Sequence, residues 1–213
     1  PDPVAAGYIL VIIILLFGHG LQMVNQTKLS FEAMLAVCFG FFAGIGVQGK
    51  FLFNETEITL EMNPNDVSRD RIDELLMAGI NRISLGIQSY SNQELQALGR
   101  NHDRQSAIKA TQALVGINST IDLIYGIEKQ TPKSFTANLE RIIHANINHL
   151  SLYQLTIEPN TIFYKKELKL PGEEEIEKIE FIAKDLLEKN GYKQYEVSSW
   201  SKPGYESQHN MNY

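Results

Sequence analysis

From Glu57 onward, short β-branched runs alternate with longer runs whose apolar residues recur at helical spacing, the pattern of repeated strand and helix units. It predicts strands over residues 57–61, 82–88, 120–125, 149–156 and 193–198, with helices between them. Ser91-Asn-Gln-Glu94 reads as a capping box, in which the Ser and Glu side chains satisfy each other's free backbone amides. Thr131-Pro132 is a second helix start. Pro occupies the first helical position, where its missing N–H costs nothing, and Phe135, Leu139, Ile142 and Ile143 form the apolar stripe that follows. A helix is expected to end near Leu114, and another to run over residues 173–190. The latter has an acidic first turn that complements the helix dipole and Gly191 where a left-handed cap is needed. Such alternation implies an α/β fold with a parallel sheet and right-handed crossovers.

Within the strands, side chains alternate between two faces, so the faces can be assigned from the pattern. Ile58 and Leu60 share one face, Thr59 and Glu61 the other. Ile83, Leu85 and Ile87 point toward the helices, and Ser84, Gly86 and Gln88 point away from them. Gln194, Glu196 and Ser198 are expected to repeat the polar face. The interior of an ordinary parallel barrel is filled with aliphatic side chains. An unpaired buried carboxylate is costly, so a face lined this way holds water or a polar ligand. Taken singly, Glu61, Gln88, Asp122 or Glu196 is equally well read as a capping or structural residue. Their joint placement toward the C-terminal ends of successive strands favours a binding site.

The first 56 residues break the pattern. Residues 3–27 carry no Asp, Glu, Lys or Arg and contain the run Tyr8-Ile-Leu-Val-Ile-Ile-Ile-Leu-Leu-Phe17, and residues 33–49 form a second uncharged stretch. Two readings follow, a membrane hairpin or a buried strand. The shortness of the dense aliphatic core and its richness in Ile and Val favour the strand. No basic region precedes the run, so a secretory signal peptide is poorly supported.

Composition narrows the function classes. With 44% hydrophobic and 21% charged residues, the 213-residue chain has the makeup of one globular domain, not of a disordered segment. A net charge of −6 gives no global attraction to nucleic-acid phosphates, so nucleic acid is not an expected partner. The single cysteine, Cys38, allows no intramolecular disulfide and fits a reducing, cytoplasmic setting.

Three strings carry a resemblance: Glu57-Ile-Thr-Leu-Glu-Met-Asn-Pro64, Asn81-Arg-Ile-Ser-Leu-Gly-Ile-Gln-Ser89 and Ile121-Asp-Leu-Ile-Tyr-Gly126. In this order they resemble consecutive segments of the radical S-adenosylmethionine enzymes related to oxygen-independent coproporphyrinogen oxidase. Leu152-Tyr-Gln-Leu-Thr-Ile-Glu-Pro-Asn-Thr161 and Gln208-His-Asn-Met-Asn-Tyr213 resemble the heme-chaperone branch in particular. The resemblance covers residues 57–213 and implies a partial parallel (β/α) barrel of the radical S-adenosylmethionine type, incomplete at both ends. It implies that Glu61, Gln88, Arg100 and Asp122 hold S-adenosylmethionine. A carboxylate would pair with the ammonium group, the guanidinium would hold the carboxylate, and a second acid would accept ribose hydroxyl protons. It also implies that His209 is an axial heme ligand, with heme or porphyrin as partner and heme-accepting proteins beyond it.

Two features depart from the family. Its Cys-x-x-x-Cys-x-x-Cys motif does not occur, so the thiolates of the family's iron–sulfur cluster are missing and no radical chemistry or catalytic residue is expected of this chain. Its Gly-Gly-Gly-Thr-Pro loop is matched only by Phe17-Gly-His-Gly-Leu-Gln22, which leaves Gly18 and Gly20 as cofactor contacts. Leu-Gln can be encoded by CTC CAA, and the same letters read one base earlier after an A give Thr-Pro. Residues 21–56 are therefore expected to be translated out of frame, which makes residues 1–56 a degenerate segment and 57–213 the partial barrel. Three functional readings compete: a fragment of a heme-trafficking protein or its porphyrin-oxidising relative, a membrane-anchored binding domain, and a metal-independent barrel enzyme. The last is weakest, because no Ser-His-Asp arrangement or dense histidine cluster supports it.

Overall fold

The computed structural model describes residues 57–166 and 168–212. The early apolar run, Gly18, Gly20, Cys38, the segment expected to be out of frame and Tyr213 lie outside the described residues. Strands β1 (Thr59–Met62), β2 (Arg82–Gln88), β3 (Ser119–Tyr125) and β4 (His149–Gln154) pair in parallel, in that order. Helices α1 (Arg69–Met77), α2 (Asn92–Ala97), α3 (Arg104–Ala113) and α4 (Pro132–His144) fill the connections. A short helix α5 (Ile162–Lys165) and the long α6 (Glu173–Lys189) follow β4. Among the described residues, no helix is long and apolar enough to cross a membrane. The membrane reading concerns residues outside them.

The local signals act as expected at most helix ends. Thr131 and Ser134 exchange reciprocal hydrogen bonds of 3.1 Å at the start of α4, with Pro132 in its first turn. Gly191, at φ 83°, follows the last turn of α6 in the left-handed region that favours glycine. The helix-facing side chains of the sheet, Ile83, Leu85, Ile87, Ile121, Leu123 and Leu150, are fully buried, as are Phe135, Leu139 and Ile142 of α4.

The end of the chain departs from a repeated parallel unit. Strand β5 covers only Lys193–Gln194, and a further strand, β6 (Ser199–Ser201), pairs antiparallel with both β5 and β4. The sheet is therefore mostly parallel with an antiparallel edge, in the order β1-β2-β3-β4-β6-β5. Residues 195–198 form a hairpin loop, too short for the crossover that a parallel strand needs. Gln194 Nε2 donates to the Val197 carbonyl at 2.8 Å, and the Glu196 carboxylate accepts from Ser198 and Ser199. Gln194, Glu196 and Ser198 thus serve this hairpin and do not continue the polar strand face predicted for them.

Candidate functional site

The polar face of the sheet carries two separate clusters, one at each end of the parallel strands. At the C-terminal end, Glu61, Met62, Asn63, Ser84, Gly86, Gln88, Arg100 and Asp122 line one polar cavity of about 290 Å³. Of the residues expected to bind the cofactor, Glu61, Gln88, Arg100 and Asp122 are all among them, and Gly18 and Gly20 lie outside the described residues. Glu61 stands opposite Ser84 in the β1–β2 register, and Asp122 opposite Ser151 in β3–β4. Arg100 arrives from a different direction. Gly99, at φ 66°, ends α2, and the Arg100 N–H then bonds back to the Leu95 carbonyl at 2.9 Å, a left-handed cap that turns the chain toward the sheet.

Burial pushes the Asp122 carboxyl up to about 6, and the charge of Glu61 adds to the shift. Hydrogen bonds from Ser151 and Ser84 and the charge of Arg100 oppose it. The Ser84 hydroxyl donates to Asp122 Oδ2 at 3.3 Å. Gly86 keeps the cavity open, since a Cβ there would stand 2.9 Å from Gln88 Nε2. Gln88 itself has φ 66°, a conformation uncommon for a residue with a side chain and one that recurs at ligand sites. Ser84 and Gly86 were legible from alternation. Met62, Asn63 and Ser151 were not, because nothing local distinguishes them.

The capping box predicted at Ser91 forms only in half. Ser91 Oγ accepts from the Glu94 N–H at 3.5 Å, but the Glu94 carboxylate does not return to the Ser91 amide. It accepts instead from Ser89 Oγ at 2.6 Å, Ser134 Oγ at 2.7 Å, Gln130 Nε2 at 3.0 Å and Asn138 Nδ2 at 3.3 Å. Burial selects these donors, since a carboxylate 2% exposed gains more from four of them than from one cap. Asn138, a polar residue within the apolar stripe of α4, was the one sequence signal of this network.

At the opposite end of the strands, the Arg82 guanidinium is buried against Glu57 at 3.3 Å, Thr120 Oγ1 at 3.1 Å and the Tyr205 carbonyl at 3.2 Å. Glu57 also accepts from Ser207 Oγ at 2.8 Å and the Gln208 N–H at 3.2 Å. Beside it, His149 Nε2 lies 2.6 Å from the Tyr195 hydroxyl, which also accepts from the Ser207 N–H at 3.0 Å. Burial, then the charge of Arg82, pushes His149 down to about 3, so its ring is neutral. Asn210 Nδ2 donates to Ser199 Oγ at 2.9 Å. These bonds fasten the segment that carries His209 to the N-terminal ends of the strands. His209 is exposed and does not line the cavity of Glu61 and Asp122.

Known proteins resemble this chain in sequence and in fold. Residues 7–142 match the family model of the radical SAM superfamily. The chain is 41% identical over 172 residues to the heme chaperone HemW of Escherichia coli (strain K12), an alignment covering 79% of this chain and 46% of that protein. It is 40% identical over 162 residues to the heme chaperone HemW of Buchnera aphidicola subsp. Schizaphis graminum (strain Sg), covering 75% and 43%. Among solved structures it resembles the coproporphyrinogen III oxidase HemN from Escherichia coli, a radical SAM enzyme, with a TM-score of 0.63 and 26% identity over 70% of this chain and 36% of that one. The chain spans less than half the length of these curated relatives.

Proposed function

The chain belongs to the radical SAM superfamily, and from that premise we propose that it is the S-adenosylmethionine-binding part of a heme-chaperone-like protein. The observation that carries this reading is the convergence of two carboxylates, a guanidinium and a carboxamide on one polar cavity. Arg100 is suited to the cofactor's carboxylate by its planar fork of donors. Exposed Glu61 is suited to the ammonium group, since its charge costs little to maintain beside water. Asp122, held by serine hydroxyls, is suited to the ribose hydroxyls, and Gln88 offers both a donor and an acceptor without adding charge.

In this superfamily S-adenosylmethionine works with an iron–sulfur cluster, which supplies an electron for its cleavage. Cys38 is the one cysteine of the 213 residues, whereas such a cluster takes three thiolates from the protein. These residues alone do not provide the cluster's ligands. What they provide is the cofactor's polar cradle and, at the other end of the strands, the Gln208-His209-Asn210 segment proposed to meet heme. HemW in its name is a heme chaperone, and that name supports heme as cargo here over porphyrin oxidation.

Titration calorimetry of the full chain with S-adenosylmethionine tests the reading. Wild type should bind, and Arg100→Ala should weaken binding by about tenfold or more, the loss of a charge-assisted hydrogen bond of roughly 1.5–3 kcal/mol. Equal affinity of the two proteins would refute the assignment.

A further inference from the structure

Gln88 ends β2 at φ 66°, where a side chain is unfavourable. It is the centre of a three-residue turn closed by the Ser89 N–H to the Ile87 carbonyl at 2.8 Å. Such a conformation persists only where its surroundings hold it. Four contacts do so. The Ile87 carbonyl also lies 3.0 Å from His102 Nε2, and the Tyr90 N–H donates to Asn138 Oδ1 at 3.1 Å. Ser89 Oγ accepts from the Ser91 N–H at 2.9 Å and donates to Glu94 at 2.6 Å.

Glu94 is the common anchor of that clamp. Its carboxylate binds both Ser89, the last residue of the turn, and Asn138, which holds Tyr90. It also holds Gln130, whose Oε1 accepts from the Gly126 N–H at 2.8 Å. Among the described residues Glu94 has no ion-pair partner, and it does not line the cavity. A buried carboxylate is costly unless donors satisfy it, and four side chains converge on this one.

We infer that Glu94 is a positioning residue for the cofactor cavity, fixing the strained turn that presents the Gln88 carboxamide beside Gly86 and Asp122. The inference rests on the S-adenosylmethionine reading for its consequence in binding, and on the turn alone for its geometry. Glu94→Gln keeps the size but sets a donor against donors, so the turn should relax toward an ordinary backbone conformation.

Two readouts separate this role from general support of the fold. The side-chain and backbone amide resonances of Gln88 should shift in Glu94→Gln and in Ser89→Ala. They should stay in place in Ser68→Ala, which removes the cap of α1, where Ser68 Oγ accepts from the Arg71 N–H. In calorimetry, Glu94→Gln should weaken S-adenosylmethionine binding about tenfold, the scale of coupling between neighbouring groups, and should change nothing further in a Gln88→Ala background. Unmoved Gln88 resonances, or a Glu94 effect that persists without Gln88, would overturn the inference. If Glu94→Gln does not fold, Ser89→Ala carries both measurements. A wild-type chain that binds no S-adenosylmethionine would refute the proposed function, while the resonances would still decide the role of Glu94.

Discussion

Asp122 shows how a single buried group reports on its site. Its carboxyl titrates near 6, above the ordinary value of 3.8, so the folded state holds the proton more tightly than the unfolded chain does. Protonation therefore favours folding. The contribution of Asp122 to stability is most favourable below about pH 4, falls as pH rises from about 4 to 6, and is level above that, a cost from this one group of at most about 3 kcal/mol at pH 7. Asp122→Asn should abolish that slope and raise the urea midpoint at pH 7, read by circular dichroism across the pH series. If the ionised carboxylate accepts from ribose, affinity in wild type should rise between pH 5 and 7 and stay level in Asp122→Asn. Gly86→Ala acts on the same cavity by shape. The added methyl would meet the flexible end of Gln88 at 2.9 Å, so the carboxamide yields before the sheet does. Binding should weaken up to about tenfold, one hydrogen bond's worth, with little change in thermal midpoint.

Helix α4 joins local and long-range demands at its first turn. Thr131 caps the helix only, whereas Ser134 both completes the capping box and donates to the buried Glu94 carboxylate at 2.7 Å. Thr131→Ala should cost about 1 kcal/mol, the ordinary value of a cap. Ser134→Ala should cost more, about 2–3 kcal/mol, because it also leaves the buried carboxylate short of a donor. Equilibrium urea unfolding of the two variants ranks them, and equal losses would mean that the Glu94 bond contributes nothing. The hairpin of β5 and β6 makes a related point. Residues 193–198 read as one parallel strand by composition, yet the chain turns back there because Gln194 and Glu196 close a tight loop by side-chain to backbone bonds.

On the scale of the molecule, the polar sheet face carries two polar clusters at opposite ends of the strands, each proposed to meet a different ligand. From Arg82 to Gln88 along β2 the separation is roughly 20 Å at 3.3 Å per residue. The proposed heme contact and the cofactor cavity should therefore be separable by mutation. His209→Ala should alter the Soret band and iron coordination on hemin titration, while replacement of His102 or His144 should not. An unchanged Soret band in His209→Ala would remove the assignment. Anaerobic reconstitution of this 213-residue chain with iron and sulfide should give no 5′-deoxyadenosine above a no-protein control, because one thiolate cannot hold the cluster. The coding DNA across residues 17–57 tests the proposed frame shift, which a continuous in-frame reading there would refute.

Sequence by itself determined the strand and helix alternation, the two faces of β1 and β2 and most helix ends. These follow from periods of two and 3.6 residues and from caps that act within one turn. The four residues proposed to hold the cofactor were named from a family resemblance, three of them, Glu61, Gln88 and Asp122, within its matching strings. Tertiary structure alone decided the partners of Glu94, the left-handed turn at Gln88, the antiparallel edge, and the fastening of Ser207 to Glu57 across 150 residues of sequence. A local pattern states which face a side chain is on. What a buried carboxylate or guanidinium bonds to depends on which distant donors and acceptors packing brings within about 3 Å of it, and no local period encodes that.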